Sequence, residues 1–265
     1  MKVGQKNKVG IVMATYKMDP GMVRQAVLSI VAQSMPAWNL YIIGVKGDKT
    51  IEELYEEMMP EERIGLWLDE QPNVYEQRNL GLKMAVQDCD FVTFFDSDDF
   101  MLPYKLMMEL MMAELDGLDL VYTSYYYADK NLVIFKHCKV SKAASKHQIL
   151  ESCWLPDYTL VKSEFMRTHL QAEDGTILNQ KKYKTACVYD MWMRAIENNA
   201  RIGMHTAPTW LYRQREDGLG RQMDAPQLLD REMCIKDAKA RWGINTPTRM
   251  GTTNLWESGD DAVYE

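Results

Sequence analysis

Short apolar runs and longer amphipathic ones alternate along the first half of the chain. Val9 to Ala14 is apolar throughout and predicts a buried strand. Asp19-Pro20 then supplies a helix cap and a first-turn proline. Behind it Met22, Val23, Ala26, Val27, Ile30 and Val31 recur at three- and four-residue spacing, so one helix face packs on a sheet. Leu40 to Val45 predicts a second strand, Ile51 to Met59 a short acidic helix stopped by Pro60, and Arg63 to Leu68 a third strand. Asn73, with Glu76 three residues on, predicts a reciprocally capped helix running to about Gln87. Phe91 to Phe95 is a fourth strand, and Pro103 to Leu115 a helix rich in Met and Leu. Leu120 to Tyr127 and Leu132 to Phe135 predict two strands around an Asp129-Lys130-Asn131 turn. Strand alternating with helix predicts a mainly parallel, doubly wound α/β sheet.

Beyond Phe135 the pattern weakens. Lys136 to His147 is basic and polar, Trp154 to Lys162 is extended around Pro156, and Gln171 to Lys184 reads as a mobile loop. Val188 to Glu197 predicts a helix, Ile202 to His205 and Thr209 to Tyr212 two short strands, and Leu228 to Trp242 a last amphipathic helix. The Thr-, Gly- and Asp-rich tail from Asn245 predicts fraying.

The fourth strand runs straight into Asp96-Ser97-Asp98-Asp99. Three carboxylates in four residues repel one another unless a cation, hydrogen bonds or solvent offset them. The carboxyl end of a strand is where open α/β sheets bind ligands. A divalent-cation site follows from this, with a solvated turn in which one Asp caps the helix after Pro103 as the plainer alternative. Ala14-Thr15-Tyr16 at the end of the first strand offers backbone groups and an aromatic face to a flat base, or is an ordinary loop. Arg78 and Asn79, early on their helix, could reach a pyrophosphate or face solvent.

The chain has 265 residues, 46% of them hydrophobic, which is globular composition with room for a sizeable core. No apolar run reaches the ~18 residues of a membrane span. The polar start has no secretion-signal core, and five scattered cysteines without CxxC spacing read as free thiols in a reducing cytoplasm. A net charge of -7 argues against nucleic-acid binding over the whole surface. Twenty methionines, several as adjacent pairs on helical patterns, predict gap-filling in the core. The four histidines show no ligand spacing. Tyr125-Tyr126-Tyr127 and Trp154 could stack on a sugar or simply pack.

Taken in order, these pieces resemble the family 2 glycosyltransferases, which have the GT-A fold. The resemblance rests on Ala14-Thr15-Tyr16-Lys17, Gln77-Arg78-Asn79-Leu80-Gly81, Asp96-Ser97-Asp98-Asp99, Tyr189-Asp190 with Arg194, Ala200-Arg201-Ile202-Gly203 and Leu211-Tyr212-Arg213. It spans roughly residues 8 to 222. It implies one GT-A domain over 1–222, with a nucleotide-sugar half to about 135 and an acceptor half after it, followed by a helix and tail over 223–265.

The resemblance also implies roles. Asp98, with Asp96, would hold Mn²⁺ or Mg²⁺. Ala14, Thr15, Tyr16, Arg78, Asp96 and Ser97 would line the nucleotide sugar. Asp190 would take the acceptor's proton in an inverting transfer from a nucleoside diphosphate sugar, a UDP-sugar above all, to a glycan or other hydroxyl. The sequence departs from the family in three places. Gly44-Val45-Lys46-Gly47-Asp48 lacks the acidic pair often found after the second strand. Tyr189 stands where the family has Glu. Arg215 stands where a metal-touching His is common, and an Arg pairs with phosphate but does not ligate a cation. Arg213, Arg215 and Arg221 around Gly218 and Gly220 therefore predict a basic loop over the diphosphate. Two rival readings are a non-catalytic sugar-nucleotide or glycan binding module on the same fold, and an enzyme acting on modified DNA bases. The second would use Lys136, Lys139, Lys142, Lys146, Lys181, Lys182 and Lys184 to track phosphates.

Overall fold

The structure, a computed structural model, describes residues 7–58, 61–140, 146–151, 155–215 and 225–244. Its centre is a nine-stranded sheet. β1 (Val9–Ala14), β2 (Trp38–Val45), β3 (Ile64–Asp69) and β4 (Phe91–Phe94) form a parallel block in the order β3-β2-β1-β4. Three helices cross between these strands: α1 (Pro20–Val31), α2 (Lys49–Met58) and α3 (Val74–Asp88). The apolar run predicted for β1 is buried at every position. Asp19 caps α1 by accepting from the Met22 amide at 3.0 Å, with Pro20 in the first turn.

Asn73 caps α3 by accepting from the amides of Tyr75 and Glu76 at 2.9 and 3.3 Å. The returning half of the predicted reciprocal cap is absent, because the Asn73 amide donates to the Gln71 carbonyl instead. Gly81 lets α3 lie tight on β1: a Cβ there would come within 2.5 Å of the Val12 side chain.

The second half of the sheet is mixed. β5 (Phe100–Met101) follows the acidic turn, and α4 (Lys105–Asp116) leads to β6 (Leu120–Ala128) and the edge strand β7 (Ile134–Cys138). The turn between them closes as predicted, with Asp129 accepting from the amides of Asn131 and Val133. After α5 (Lys146–Glu151), the short β8 (Leu160–Lys162) inserts antiparallel between β4 and β6, and α6 (Ser163–His169) follows it directly. α7 (Cys187–Glu197), β9 (Ile202–Arg213) and α8 (Ala225–Trp242) are the last described elements, with α8 packed on α7. The full order is β3-β2-β1-β4-β8-β6-β9-β5, with β7 on the outer side of β6.

Two predictions change. The pair of short strands over 202–212 is the single strand β9, parallel to β6 with a register shift where His205 Nδ1 accepts the Ala207 amide and Pro208 has none to give. The stretch 171–184, predicted as a mobile loop, is tied down. Asn79 bonds both the amide and the carbonyl of Leu178, Arg194 donates to the Ile177 carbonyl, and Leu178 and Tyr183 are buried. The fraying predicted from Asn245 lies outside the described residues, as do Trp154, Lys142, Gly218, Gly220 and Arg221. Among the described residues no helix is long and apolar enough to cross a membrane.

Candidate active site

β1 and β4 lie side by side, so their carboxyl ends bring Ala14-Thr15-Tyr16 next to the Asp96–Asp99 turn. Gln77 fixes this rim from α3. Its buried amide donates to the carbonyls of Thr15 and Ile43 at 3.0 and 2.7 Å, tying the ends of β1 and β2 together. The Asp48 carboxylate accepts from the Lys17 amide at 2.8 Å, so it braces the loop after β1. Thr15 is buried, whereas the Tyr16 ring stands exposed with the Lys17 ammonium over it.

The acidic turn divides into one anchoring carboxylate and two open ones. Asp99 is fully enclosed, accepting from Tyr158 Oη at 2.5 Å and from the Arg213 amide at 2.7 Å. It does not cap α4, whose first turn has no side-chain cap, so the capping part of the plainer alternative does not hold. The Asp96 side chain is 37% exposed and accepts from Arg78 at 2.7 Å. The Asp98 side chain is 17% exposed and pairs with Arg215 at 2.9 Å. Ser97 between them is buried. One carboxylate oxygen from each of the three aspartates fits within 4.8 Å of the others.

Charge crowding leaves a mark. Burial, then the neighbouring Asp96 charge, raises the Asp98 pKa to about 6, although Arg215 pulls the other way. Burial and the charges of Asp98 and Asp96 also raise Asp99 well above the carboxylate range. A dication would relieve that repulsion, and Asp96 and Asp98 offer it hard oxygen donors, so the residues fit such an ion. Asp99 already has both oxygens engaged and serves as the anchor.

Arg78 is buried between two carboxylates, Asp96 at 2.7 Å and Asp157 at 3.0 Å, and packs over the Phe94 ring. Burial disfavours its charge, but Asp96 and Asp157 outweigh burial and hold it firmly protonated. Arg213 is also buried, and its guanidinium donates to Gln25 at 2.8 Å and to the Lys130 carbonyl at 3.4 Å. Its guanidinium thus holds the end of β9, and its backbone amide, bonded to Asp99, fixes the turn. Arg215, just past this strand end, is the arginine that meets the open Asp98 carboxylate.

Asp190 lies elsewhere. Its side chain is 3% exposed and pairs with Arg194 at 2.9 Å and Arg241 at 3.7 Å. It borders a separate polar cavity of about 230 Å³ with Tyr183, Asn179 and His169, and among the described residues none of its ion pairs runs to the acidic turn. The sequence reading passed over Asp157 and Tyr158, which come from a stretch without periodicity, and Asp230. The Asp230 carboxylate accepts from the amides of Thr185 and Ala186 and so caps α7 from α8. Gln77 was within reach of sequence reading, since it opens the Gln-Arg-Asn-x-Gly stretch.

Residues 10–185 match the family model described as "Glycosyl transferase family 2". The succinoglycan biosynthesis protein ExoW of Rhizobium meliloti (strain 1021) is 32% identical over 102 residues, which is 38% of this chain and 32% of ExoW. The chain thus accounts for about a third of that relative's length. Among solved structures, S. aureus TarS 1–349 in complex with UDP-GlcNAc aligns with a TM-score of 0.69 and 16% identity, over 88% of this chain and 66% of that one. TarS 1–349 in complex with UDP gives 0.67 and 15%, over 87% and 65%. At that identity the likeness carries the fold.

Proposed function

The chain belongs to glycosyl transferase family 2, and on that premise we propose that it moves a sugar from a nucleoside diphosphate sugar, a UDP-sugar, to an acceptor hydroxyl with inversion. The observation that carries this reading is the pair Asp96 and Asp98 at the rim of the sheet, each open carboxylate matched by an arginine. Mn²⁺ or Mg²⁺ would be held by Asp96 and Asp98 and, when bound, supplies positive charge to the departing diphosphate. Arg78 and Arg215 bring further positive charge to the same rim. A cation and a diphosphate arrive with opposite charges, so each aspartate–arginine contact can give way to aspartate–cation and arginine–phosphate without changing the net charge of the site. The exposed Tyr16 ring, beside the braced Thr15 backbone, suits the face of a nucleobase. Support for uridine comes from the UDP and UDP-GlcNAc complexes of the TarS neighbours.

In this reading the acceptor is a glycan or another hydroxyl compound, approaching from the side of Asp157 and α7. The family resemblance implies Asp190 as the proton acceptor, but its enclosure and its pairing with Arg194 favour a different part, holding α7 in place, because the pair would have to open before Asp190 could meet a hydroxyl. UDP release from a panel of UDP-sugars, with and without Mn²⁺, tests the whole reading. Metal-dependent release from at least one donor is expected, and absence of both binding and release across the panel contradicts it.

A further inference from the structure

A group that takes a proton from an incoming hydroxyl has to meet three conditions. It must lie beside the reacting centre, present an accessible oxygen, and be held still. Among the described residues, four carboxylates surround the rim of β4. Asp99 has both oxygens engaged within the fold. Asp96 and Asp98 face the position assigned to the cation. The fourth is Asp157, which shares the Arg78 guanidinium with Asp96, at 3.0 and 2.7 Å respectively.

Asp157 meets all three conditions. Its side chain is 45% exposed, and one oxygen accepts from Arg78 while the other has no hydrogen-bond partner among the described residues. The turn that carries it is closed by the amide and hydroxyl of Thr159, which both donate to the Pro156 carbonyl, at 3.2 and 2.7 Å. The next residue, Tyr158, is bolted to Asp99 and packs against Phe95 and Trp210. Asp190, by contrast, is 3% exposed and engaged by Arg194.

We infer that Asp157 accepts the proton of the acceptor hydroxyl. The inference rests on the sugar-transfer reading above. In the step, the acceptor O–H bond breaks and its proton goes to an Asp157 oxygen. The acceptor oxygen forms the new bond to the anomeric carbon. The bond from that carbon to the diphosphate oxygen breaks, and its electron pair leaves with the nucleoside diphosphate.

The test uses the full chain with Mn²⁺. UDP release is followed from UDP-glucose, UDP-galactose and UDP-GlcNAc, with water, glycerol and free sugars as hydroxyl sources, and UDP affinity is followed by calorimetry. Asp157→Asn keeps a partner for Arg78. It is expected to lower turnover at saturating donor by about 100-fold or more while UDP affinity stays within about threefold. Asp157→Glu is expected to restore part of the turnover. Asp190→Asn is expected to lower the melting temperature and to leave turnover of the folded protein within about threefold. An Asp157→Asn variant that turns over like the wild type overturns the assignment alone. So does a folded Asp190→Asn variant that has lost turnover while Asp157→Asn keeps it. A wild type that binds UDP and splits no donor overturns the sugar-transfer reading and the assignment together.

Discussion

Two groups of buried charge lie on either side of the same stretch of chain, and they are handled in opposite ways. On α4, Lys105 and Glu109 are completely enclosed. The Lys105 ammonium donates to Glu109 and, at 3.0 Å, to the Tyr158 carbonyl, while Glu109 also accepts from Thr123 at 3.2 Å. Burial pulls both groups toward their neutral forms, and each holds the other against that pull. A few residues earlier, Asp96 and Asp98 remain partly open, with like charges as neighbours and arginines only at their edges. The sealed pair finds its counter-charge inside the fold, although one Glu109 oxygen is left without a hydrogen-bond partner. The open pair lacks a partner at its centre, and a cation and its phosphates would supply it. Location at a rim, with carboxylates partly open to solvent, is what separates a binding group from a structural one here.

The comparison can be broken from its sealed side first, where the largest effect is expected. Glu109→Leu leaves the Lys105 ammonium buried without its carboxylate, and the cost is about 3–5 kcal/mol, read from urea unfolding. Lys105→Met together with Glu109→Leu is expected to recover most of that loss, because two apolar side chains leave no charge to satisfy. Recovery would mark the pair as structural.

The open side predicts the reverse sign. Folding raises Asp98 from the ordinary aspartate value of 3.8 to about 6, so between those values the folded chain binds the additional proton. The contribution of Asp98 to stability therefore falls as pH rises through that window, by about 3 kcal/mol, and the full penalty stands above pH 6. Asp98→Asn is expected to be more stable than the wild type at pH 7.5 and to remove this part of the slope between pH 4 and 6. Unfolding curves across that range check it. A variant less stable than the wild type at pH 7.5 would place Asp98 among the sealed groups.

The smallest effect concerns α7. Asp230 caps it from α8 through the amides of Thr185 and Ala186, both at about 2.7 Å or less. Asp230→Ala is expected to cost about 1–2 kcal/mol, with little change at the acidic turn. Unfolding and UDP titration of the same variant separate the two effects.

The same contrast explains what could be read without the structure. β1, the Asp19 cap, the Asn73 cap and the acidic turn are local: each is written in neighbouring residues through periodicity, capping chemistry or charge. The merging of two short strands into β9 depends on β6 lying alongside to carry the register across Pro208. The position of Asp157 depends on β8 inserting between β4 and β6, which brings residue 157 to Arg78 across 79 positions of chain. Asp190 shows the opposite case. Its neighbour Arg194 fits the family's motif, although Tyr189 does not, yet the pairing of Asp190 with Arg194 one helical turn on is also a local i,i+4 contact. The spacing alone does not distinguish a proton acceptor from a clamp.

The central claim is that Asp96 and Asp98 hold a divalent cation that grips a diphosphate. Calorimetric titration of UDP into the wild type and Asp98→Asn, with Mn²⁺ and with a chelator, tests it most directly. UDP is expected to bind the wild type with Mn²⁺, and that binding to be lost or weakened by at least about tenfold on chelation or in Asp98→Asn. UDP binding of equal strength in all four titrations would contradict it.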